Sequence, residues 1–502
     1  MPIDKKKIAK NSLALYLRMF ISVGITFYTS RVILKTLGVD DFGTYNVVCG
    51  IAVMFSFLSG ALSSSTVRYI TYAIGKGDSK EITEVFSLSV KAHFFIGIIV
   101  VLFSEIVGLW LIYKKLSIGS VPFITANIIF QLSLLGTFFG IINVPYVASV
   151  IAEEKMTFFA YINIFESVAK LGISFLISLF PHKLTIYGFL LFILSFLVFT
   201  INRFYCIYTL KDIRFNKFVK NSGLLKEIFL FSWWNMIKYG SEIGYNQAST
   251  IFVNIWGGPI ASAAMAIYTQ VNSGLIKFID SFQNAFNPQI TKNWAQEDSY
   301  SFNKLIVSSS KFSLFLMLLP AIPLSIFMKQ VLDVWLDTVP ENTDAFCQIG
   351  LLCLWFNTMK CPMDKGIMAI GNIRNYQLIS SVIWIISVPI SWFLLINGMP
   401  FRYILCVRLL ALISAVIYNL IYLSNRSNLN INQFLLSNFI RPLVVLLVSY
   451  AFGLYVAKNL NISLAAKLLL TTLTTSFSTI LLVYVIGLNS SERKIIRGLI
   501  IK

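Results

Sequence analysis

The chain is built from apolar stretches long enough to cross a lipid bilayer. A spanning helix needs about 20 consecutive, mostly apolar residues, and fourteen such stretches follow one another along the 502 residues. Their approximate limits are 13–34, 43–65, 88–112, 121–144, 157–180, 184–207, 228–255, 260–285, 305–327, 345–364, 376–397, 402–423, 438–457 and 463–487. The connections are too short to hold a soluble domain. We therefore predict an all-α integral membrane protein with about fourteen transmembrane helices.

Composition excludes several other classes of protein. Hydrophobic residues make up 57% of the chain and charged residues only 13%, whereas a soluble domain carries about 25% charged residues. A soluble enzyme, a nucleic-acid-binding protein and a disordered scaffold are therefore not expected. The six cysteines are scattered without a CxxC motif, and there are only two histidines. This pattern predicts neither a disulfide framework nor a metal site.

The distribution of basic residues predicts the orientation. The chain has 41 Lys and Arg against 22 Asp and Glu, a net charge of +19. If the N-terminus is cytoplasmic, 26 basic residues, with Lys311 counted among them, lie on the cytoplasmic side and 9 on the outer side. Cytoplasmic loops of membrane proteins are enriched in Lys and Arg. Both termini are therefore predicted to be cytoplasmic.

A weak internal repeat divides the sequence. Residues 37–78 match residues 256–298 in a few Gly, Tyr and Asp positions at an offset of about 220. Six spans per copy, starting on the same side, predict two parallel and pseudo-symmetric six-helix lobes with a substrate cavity between them. The predicted N-lobe is 1–215 and the C-lobe is 216–425. Residues 426–502 then supply two C-terminal helices and a cytoplasmic tail.

Six basic residues fall inside predicted spans. A lipid-facing Lys or Arg at the centre of a span costs roughly 2.5 to 3.5 kcal/mol, so six of them would exceed the stability of a typical protein. They must therefore face a wet cavity or a partner. These residues are Arg18, Lys170, Lys238, Lys277, Lys360 and Arg408.

Helical periodicity groups these bases with other polar residues. Spans 1, 7 and 8 each carry a polar stripe on one face, and the repeat offset relates Arg18 to Lys238. A cavity with surplus cations suits a cargo that is anionic and amphipathic, such as a polyprenyl diphosphate sugar. The predicted substrate-binding residues are Arg18, Lys238, Lys277, Arg408, Asn235, Asn246 and Gln270, and the candidate ion-coupling residues are Glu105, Glu242 and Asp280.

An alternative interpretation of the charges is pairing within one helix. Acidic residues lie three or four positions from several of the bases, a spacing that lets opposite charges neutralise each other. The pairs are Glu166 with Lys170, Lys238 with Glu242, Lys360 with Asp364, and Lys277 with Asp280. Arg18 and Arg408 have no such neighbour on their own helix. For Glu105, a protonated and hydrogen-bonded carboxyl is the alternative to an ion site.

Three segments resemble a known transporter family. They are RVILKTLGVDDFGTYNVVCG at 31–50, NVPYVASVIAEEKMTFFAYIN at 143–163, and FNPQITK at 286–292. With the length and the number of spans, they resemble the Wzx-type flippases of O-antigen or capsule repeat units, within the multidrug/oligosaccharidyl-lipid/polysaccharide (MOP) exporter superfamily. The resemblance implies a bacterial inner-membrane flippase for lipopolysaccharide or other polysaccharide biosynthesis. It implies translocation of undecaprenyl-diphosphate-linked oligosaccharide to the periplasmic leaflet.

The resemblance also bears on cofactors and partners. Alternating access driven by a proton or sodium gradient needs no covalent chemistry, so neither an enzymatic activity nor a bound cofactor is expected. The expected partners are the lipid-linked oligosaccharide, membrane lipids, and a polysaccharide polymerase with its chain-length regulator; nucleic acid is not a partner. Two alternatives stay open, namely a drug/cation antiporter of the same superfamily and a polytopic glycosyl polymerase or ligase.

Overall fold

The computed structural model describes most of the chain. The described residues are 21–22, 24–54, 63, 66–67, 69–70, 73–74, 79–153, 155–210, 215, 222–283, 286, 289–290, 293–294, 296–371, 374–460, 462–489 and 492–493. Within these ranges the chain is helical and contains no β-strand. The all-α prediction is therefore confirmed.

Over the described residues, fourteen principal helices follow one another, as the apolar stretches predict. Their bounds are α1 24–37, α2 Val39–Met54, α3 Ser79–Lys114, α4 Phe123–Ala152, α5 Met156–Leu176, α6 Lys183–Thr209, α7 222–257, α8 259–283, α9 Ser299–Ile326, α10 Thr343–Ile370, α11 Arg374–Ile396, α12 Ile404–Ser427, α13 Ile431–Asn459 and α14 Leu464–Gly487. A short helix, Met328–Trp335, follows α9. Over the described ranges, ten helical segments are long and apolar enough to span a membrane.

The outer surface of the helices is apolar, as a lipid environment requires. On α3, Phe95 and Ile106 are 63% and 71% exposed, and on α14, Leu473 and Phe477 are similarly exposed. In water such a surface would drive aggregation, but lipid tails contact it without penalty. The chain is a multi-pass membrane protein.

Two glycines mark equivalent positions in the repeat. Gly38 (φ 84°) separates α1 from α2, and Gly258 (φ 71°, ψ −169°) separates α7 from α8. A left-handed backbone costs a residue with a Cβ atom about 1 to 2 kcal/mol, so both breaks require glycine. Their separation of 220 residues agrees with the offset of about 220 in the sequence repeat. This recurrence supports the predicted duplication, and the lobe bounds 1–215 and 216–425 stay a prediction.

The helices are grouped into two compact units. Unit 1 comprises Met1–Ile267, Leu336–Thr343 and Arg374–Ile404, and unit 2 comprises Tyr268–Trp335, Asp344–Ile373 and Leu405–Lys502. In unit 1, α2, α3 and α4 share an apolar core that includes Val47, Ile112 and Phe130. In unit 2, α13 and α14 pack on α9, the most buried of the candidate spans.

Many hydroxyl groups bond within their own helix. Ser387 and Ser391 of α11 each donate to the carbonyl oxygen four residues earlier, at 2.8 Å. Thr475 and Thr479 of α14 do the same at 2.7 Å. These buried hydroxyls thereby satisfy their hydrogen-bonding requirement without a partner on another helix.

One ion cluster ties the end of α1 to the loop 336–343, both in unit 1. Asp337 accepts from Arg31 Nη2 at 2.8 Å and pairs with Lys35 Nζ at 3.0 Å. Hydrogen bonds from Lys35 and Arg31 hold the pKa of Asp337 below its usual value. The contact is therefore intact above the ordinary carboxyl pKa and is lost as pH falls through the lowered pKa. The predicted topology puts both segments on the outer face.

The orientation can be tested by labelling. With the six native cysteines replaced, we expect Thr338→Cys, beside Asp337, to react with an impermeant maleimide added to intact cells. A cysteine at Lys217 should react only after the membrane is opened, because the basic residues predict a cytoplasmic position for it. The reverse pattern would show that the chain has the opposite orientation.

Candidate transport site

Unit 1 contains a cavity among its first six helices. The cavity has a volume of about 390 Å³ and is lined by α2, α4, α5 and α6. We call it the N-terminal cavity. Its polar lining residues are Tyr45, Ser133, Thr137, Asn143, Glu166, Lys170 and Ser195. Hydroxyl, amide and charged groups thus meet in one space inside a membrane-spanning unit.

The space exists partly because α4 has a glycine where it faces the cavity. A Cβ atom built on Gly140 would meet no atom within 4 Å, so the room in front of this residue is empty. Next to it, the amide oxygen of Asn143 is buried and has no hydrogen-bond partner among the described residues. A buried polar atom without a partner is rare and often marks a site for water or a ligand.

The cavity also contains a paired charge. Lys170 Nζ lies 2.6 Å from Glu166 Oε1, one helical turn away on α5. The side chains of Lys170 and Glu166 stay 48% and 38% exposed. The intrahelical pairing predicted for Lys170 is therefore present, and its remaining exposure leaves both groups accessible from the cavity.

Glu105, a predicted ion-coupling residue, is hydrogen-bonded between α3 and α4. Gln131 Nε2 lies 2.8 Å and 3.0 Å from the two carboxyl oxygens of Glu105. Sequence periodicity could not find Gln131, because it lies on a different helix.

Lys238 is buried between α7 and α11 of unit 1. Only 7% of the residue is exposed. Its Nζ donates to the hydroxyl oxygen of Tyr376 at 2.9 Å and lies 4.6 Å from the centre of the same ring. The face of the Tyr376 ring and its hydroxyl oxygen both stabilise the buried cation. Tyr376 was not among the predicted site residues.

Unit 2 contains further pairs. Lys360 Nζ lies 3.4 Å from Asp364 Oδ2, and Asn419 of α12 donates to Asp364 Oδ1 at 2.7 Å. The predicted intrahelical pair of Lys360 is thus present. The predicted ion-coupling residue Asp280 interacts electrostatically with Lys365 of α10.

The remaining predicted residues occupy varied positions. Lys277 is exposed on α8, whereas the others with described side chains are half-buried on α7, α8 and α12: Glu242, Asn246, Gln270 and Arg408. Asn235 lies in α7, but its side chain is outside the described residues, as is the whole of Arg18. Across the described ranges, no group of three or more His, Cys, Asp or Glu side chains is placed to hold a metal ion.

The fold is similar to those of known membrane transporters. The lipid II flippase MurJ, in its inward closed conformation, matches with a TM-score of 0.70 and 15% identity, over 95% of this chain and 98% of its own. A MATE family multidrug resistance transporter of the MOP superfamily, inward-facing, matches with a TM-score of 0.65 and 15% identity, over 82% of this chain and 99% of its own. The chain has the fold of these transporters.

A third structure with this fold differs in the polarity of its binding pocket. It is a MOP superfamily transporter from Pyrococcus furiosus, with a TM-score of 0.60 and 14% identity over 84% of this chain and 96% of its own. The reverse polarity of its binding pocket is described as suggesting a different function. No family model and no curated protein sequence matches the chain.

One basic residue that is counted with the cytoplasmic segments is buried. Lys311 lies within α9 and is 1% exposed. Its Nζ lies 2.5 Å and 2.6 Å from the two carboxyl oxygens of Glu492, beyond the end of α14. Lys311 lies six residues inside the apolar stretch 305–327, and this position is the feature of the sequence that indicates burial.

Filling the N-terminal cavity should impair transport without unfolding the protein. We expect Gly140→Leu to lower the transport rate at least ten-fold, because the new side chain would occupy the space in front of Gly140. Gly172→Leu is the matched control, since a Cβ atom at Gly172 also meets nothing within 4 Å and Gly172 does not line the cavity. Equal rates for the two variants at equal expression would exclude a role for this cavity.

Proposed function

We propose that the chain is a flippase that moves undecaprenyl-diphosphate-linked oligosaccharide units from the cytoplasmic to the periplasmic leaflet. The observation that carries this proposal is the extent of the likeness to the lipid II flippase, 95% of the chain. The MATE transporter is matched over nearly its whole length but covers only 82% of this chain. The segment 426–502, with α13 and α14, accounts for 77 of the 502 residues. This share is close to the difference between the 95% and the 82% of the chain that the two transporters cover.

The charges inside the membrane support an anionic cargo. Lys238, Lys311 and Lys360 are buried basic residues within helices of this membrane protein. Retaining such residues in spans is expensive, and intramembrane charges usually mark a substrate or ion pathway. A diphosphate binds Lys and Arg through charge-assisted hydrogen bonds. The hydroxyl and amide groups of the N-terminal cavity suit the sugars of the same cargo.

The proposed mechanism requires no covalent chemistry. Arg18, Lys238, Lys277 and Arg408 would offset the desolvation of the diphosphate, while Asn235, Asn246 and Gln270 hydrogen-bond the sugars. Two lobes would expose the bound cargo alternately to the two sides of the membrane. Glu105, Glu242 and Asp280 are the candidates for coupling this movement to a proton or sodium gradient.

The proposal also includes location and partners. A flippase of this kind belongs in the bacterial inner membrane with both termini in the cytoplasm, as the basic residues predict. Its product would be consumed by a polysaccharide polymerase with a chain-length regulator. The cargoes to be compared are the repeat units of O-antigen, of capsule and of other polysaccharides, each linked to undecaprenyl diphosphate.

A drug/cation antiporter is the second candidate, because the MATE fold matches with a TM-score of 0.65. An antiporter for cationic drugs needs an acidic and aromatic binding site. The basic residues in the spans favour the flippase.

A leaflet assay tests the proposal directly. Cells lacking the chain should accumulate lipid-linked oligosaccharide in the cytoplasmic leaflet, where the sugars are protected from a periplasmic glycosidase, and expression of the chain should restore cleavage. Drug sensitivity of the same cells is the matched measurement. Restored drug efflux without restored cleavage would favour the antiporter instead.

A further inference from the structure

Unit 2 holds a buried cation whose partner comes from the end of the chain. Lys311 lies in the middle of α9 with 1% of its side chain exposed, and both carboxyl oxygens of Glu492 lie within 2.6 Å of its Nζ. The side chain of Glu492 is 19% exposed. The acid therefore lies nearer to the surface than the base that it neutralises.

Lys311 needs an anion in every state of the protein. Removing one partner of a buried ion pair leaves an uncompensated charge, which strongly destabilises the folded protein. The hydroxyl groups of the neighbouring serines on α9 form no hydrogen bond with Lys311. The hydroxyl oxygens of Ser309 and Ser313 are buried and have no partner in the described part of the chain. Whatever anion can reach this position would be bound strongly.

Two further cations belong to the same part of unit 2. Arg441 of α13 hydrogen-bonds the side chain of Asn489 and acts electrostatically on Lys311. Arg493, next to Glu492, donates through one nitrogen to the Val485 carbonyl at 2.5 Å. Its Nε is buried and has no acceptor among the described residues. Lys311 thus binds the Glu492 carboxylate directly, Arg441 is linked to it through Asn489, and Arg493 adjoins it in the chain with its Nε donor unused.

Glu492 is held by a small local turn. The backbone N–H of Asn489 donates to Glu492 Oε2 at 2.8 Å, and the N–H of Arg493 donates to the Asn489 carbonyl at 3.0 Å. This turn follows the π-helical end of α14, Val483–Gly487. Moving it would therefore disturb no long helix.

We propose that Lys311, Arg441 and Arg493 form a binding site for the phosphate-bearing headgroup of a membrane lipid, which the chain's own Glu492 occupies in this structure. An arginine guanidinium and a buried ammonium are the groups that bind phosphate oxygens well. The cluster has a net charge of +2 with Glu492 bound and +3 when Glu492 leaves, so it can accept the phosphodiester of an anionic phospholipid or a diphosphate in place of the carboxylate. Lys311 lies about 9 Å inside the start of its apolar stretch, since a helix rises 1.5 Å per residue, and this depth suits a headgroup.

The site is separate from the N-terminal cavity, and the inference does not depend on the proposed function. Two lipids have the required chemistry, namely an anionic phospholipid and a polyprenyl diphosphate. Occupation by Glu492 makes the site self-inhibited, because an incoming headgroup must first displace the carboxylate.

Binding to the purified full-length chain tests the site. The probes are farnesyl diphosphate and dioctanoyl phosphatidylglycerol, with farnesol and dioctanoyl phosphatidylcholine as controls that lack a net negative charge. We expect Glu492→Gln to lower the melting temperature and to bind a phosphate probe at least ten-fold more tightly than the wild type. Saturating probe should restore the melting temperature, because a ligand that binds only the folded state stabilises it.

Lys311→Met combined with Glu492→Gln is the control variant. It replaces the ion pair with neutral side chains of similar size, a change that proteins often tolerate, and it should lose the gain in affinity. A gain for both probes identifies a general phospholipid site, and a gain for farnesyl diphosphate alone identifies a polyprenyl diphosphate site. Unchanged affinity in Glu492→Gln, or a gain that persists in the double variant, would overturn the proposal whatever the transport assay shows.

Discussion

Replacing Lys238 with methionine is expected to reduce lipid-linked oligosaccharide transport at least ten-fold while the protein still inserts into the membrane. The substitution keeps the length of the side chain but removes the charged Nζ that donates to the Tyr376 hydroxyl oxygen at 2.9 Å. An intramembrane cation offsets the desolvation of an anionic cargo only while it is charged. The measurement is the rate of periplasmic sugar exposure at matched expression.

Companion variants separate the charge from the packing. Lys238→Arg keeps a cation and should retain part of the activity, and Tyr376→Phe keeps the ring face and should reduce activity only modestly. Arg18→Ala is expected to behave like Lys238→Met, because the repeat relates the two positions. Lys467→Ala, near the start of α14, should transport at the wild-type rate. Activity of Lys238→Met above half of the wild-type rate would show that the charge is not required.

The second large effect concerns stability. Gly43→Ala should destabilise the folded protein by about 3 kcal/mol or more, because overpacking against a fixed backbone has no inexpensive relaxation. A Cβ atom at Gly43 would lie 2.0 Å from the carbonyl oxygen of Pro259 and 3.2 Å from the nitrogen of Ala263, both backbone atoms. The turn after Gly258 contacts α2 directly at this point, so one of the two segments must move.

Melting in detergent measures this effect. Gly244→Ala is the matched control, since its Cβ atom meets nothing within 4 Å and alanine favours a helix over glycine by up to about 1 kcal/mol. The control should melt at or above the wild-type temperature. Equal melting temperatures for Gly43→Ala and the wild type would mean that the close approach of α2 to Pro259 is not maintained in solution.

The fold could be predicted because its signal is local. An apolar stretch of about 20 residues is sufficient to indicate a span, and predicted spans 7 and 8, at 228–255 and 260–285, are separated in the structure at Gly258. Pairs four residues apart were also predictable. Lys170 with Glu166 and Lys360 with Asp364 both form, because one helical turn brings them together.

The site was less predictable because its contacts are not periodic. Tyr376 lies 138 residues from Lys238, and Glu492 lies 181 residues from Lys311. Neither spacing follows a helical or repeat period, so no pattern in one sequence points to either pair. Lys311 is counted with the cytoplasmic segments because the limits of an apolar stretch are defined only to within a few residues. A buried lysine near such a limit looks the same in sequence as an exposed one.

The serines of α11 and the threonines of α14 have a mechanical consequence. A hydroxyl already bonded to its own helix makes no directional bond to the neighbouring helix, so only close packing and dispersion act across that surface. Such contacts change little when one helix slides along another, whereas an interhelical hydrogen bond must break first. Helices can therefore slide along surfaces of this kind, and the membrane protein can change shape without exposing an unsatisfied polar group to lipid.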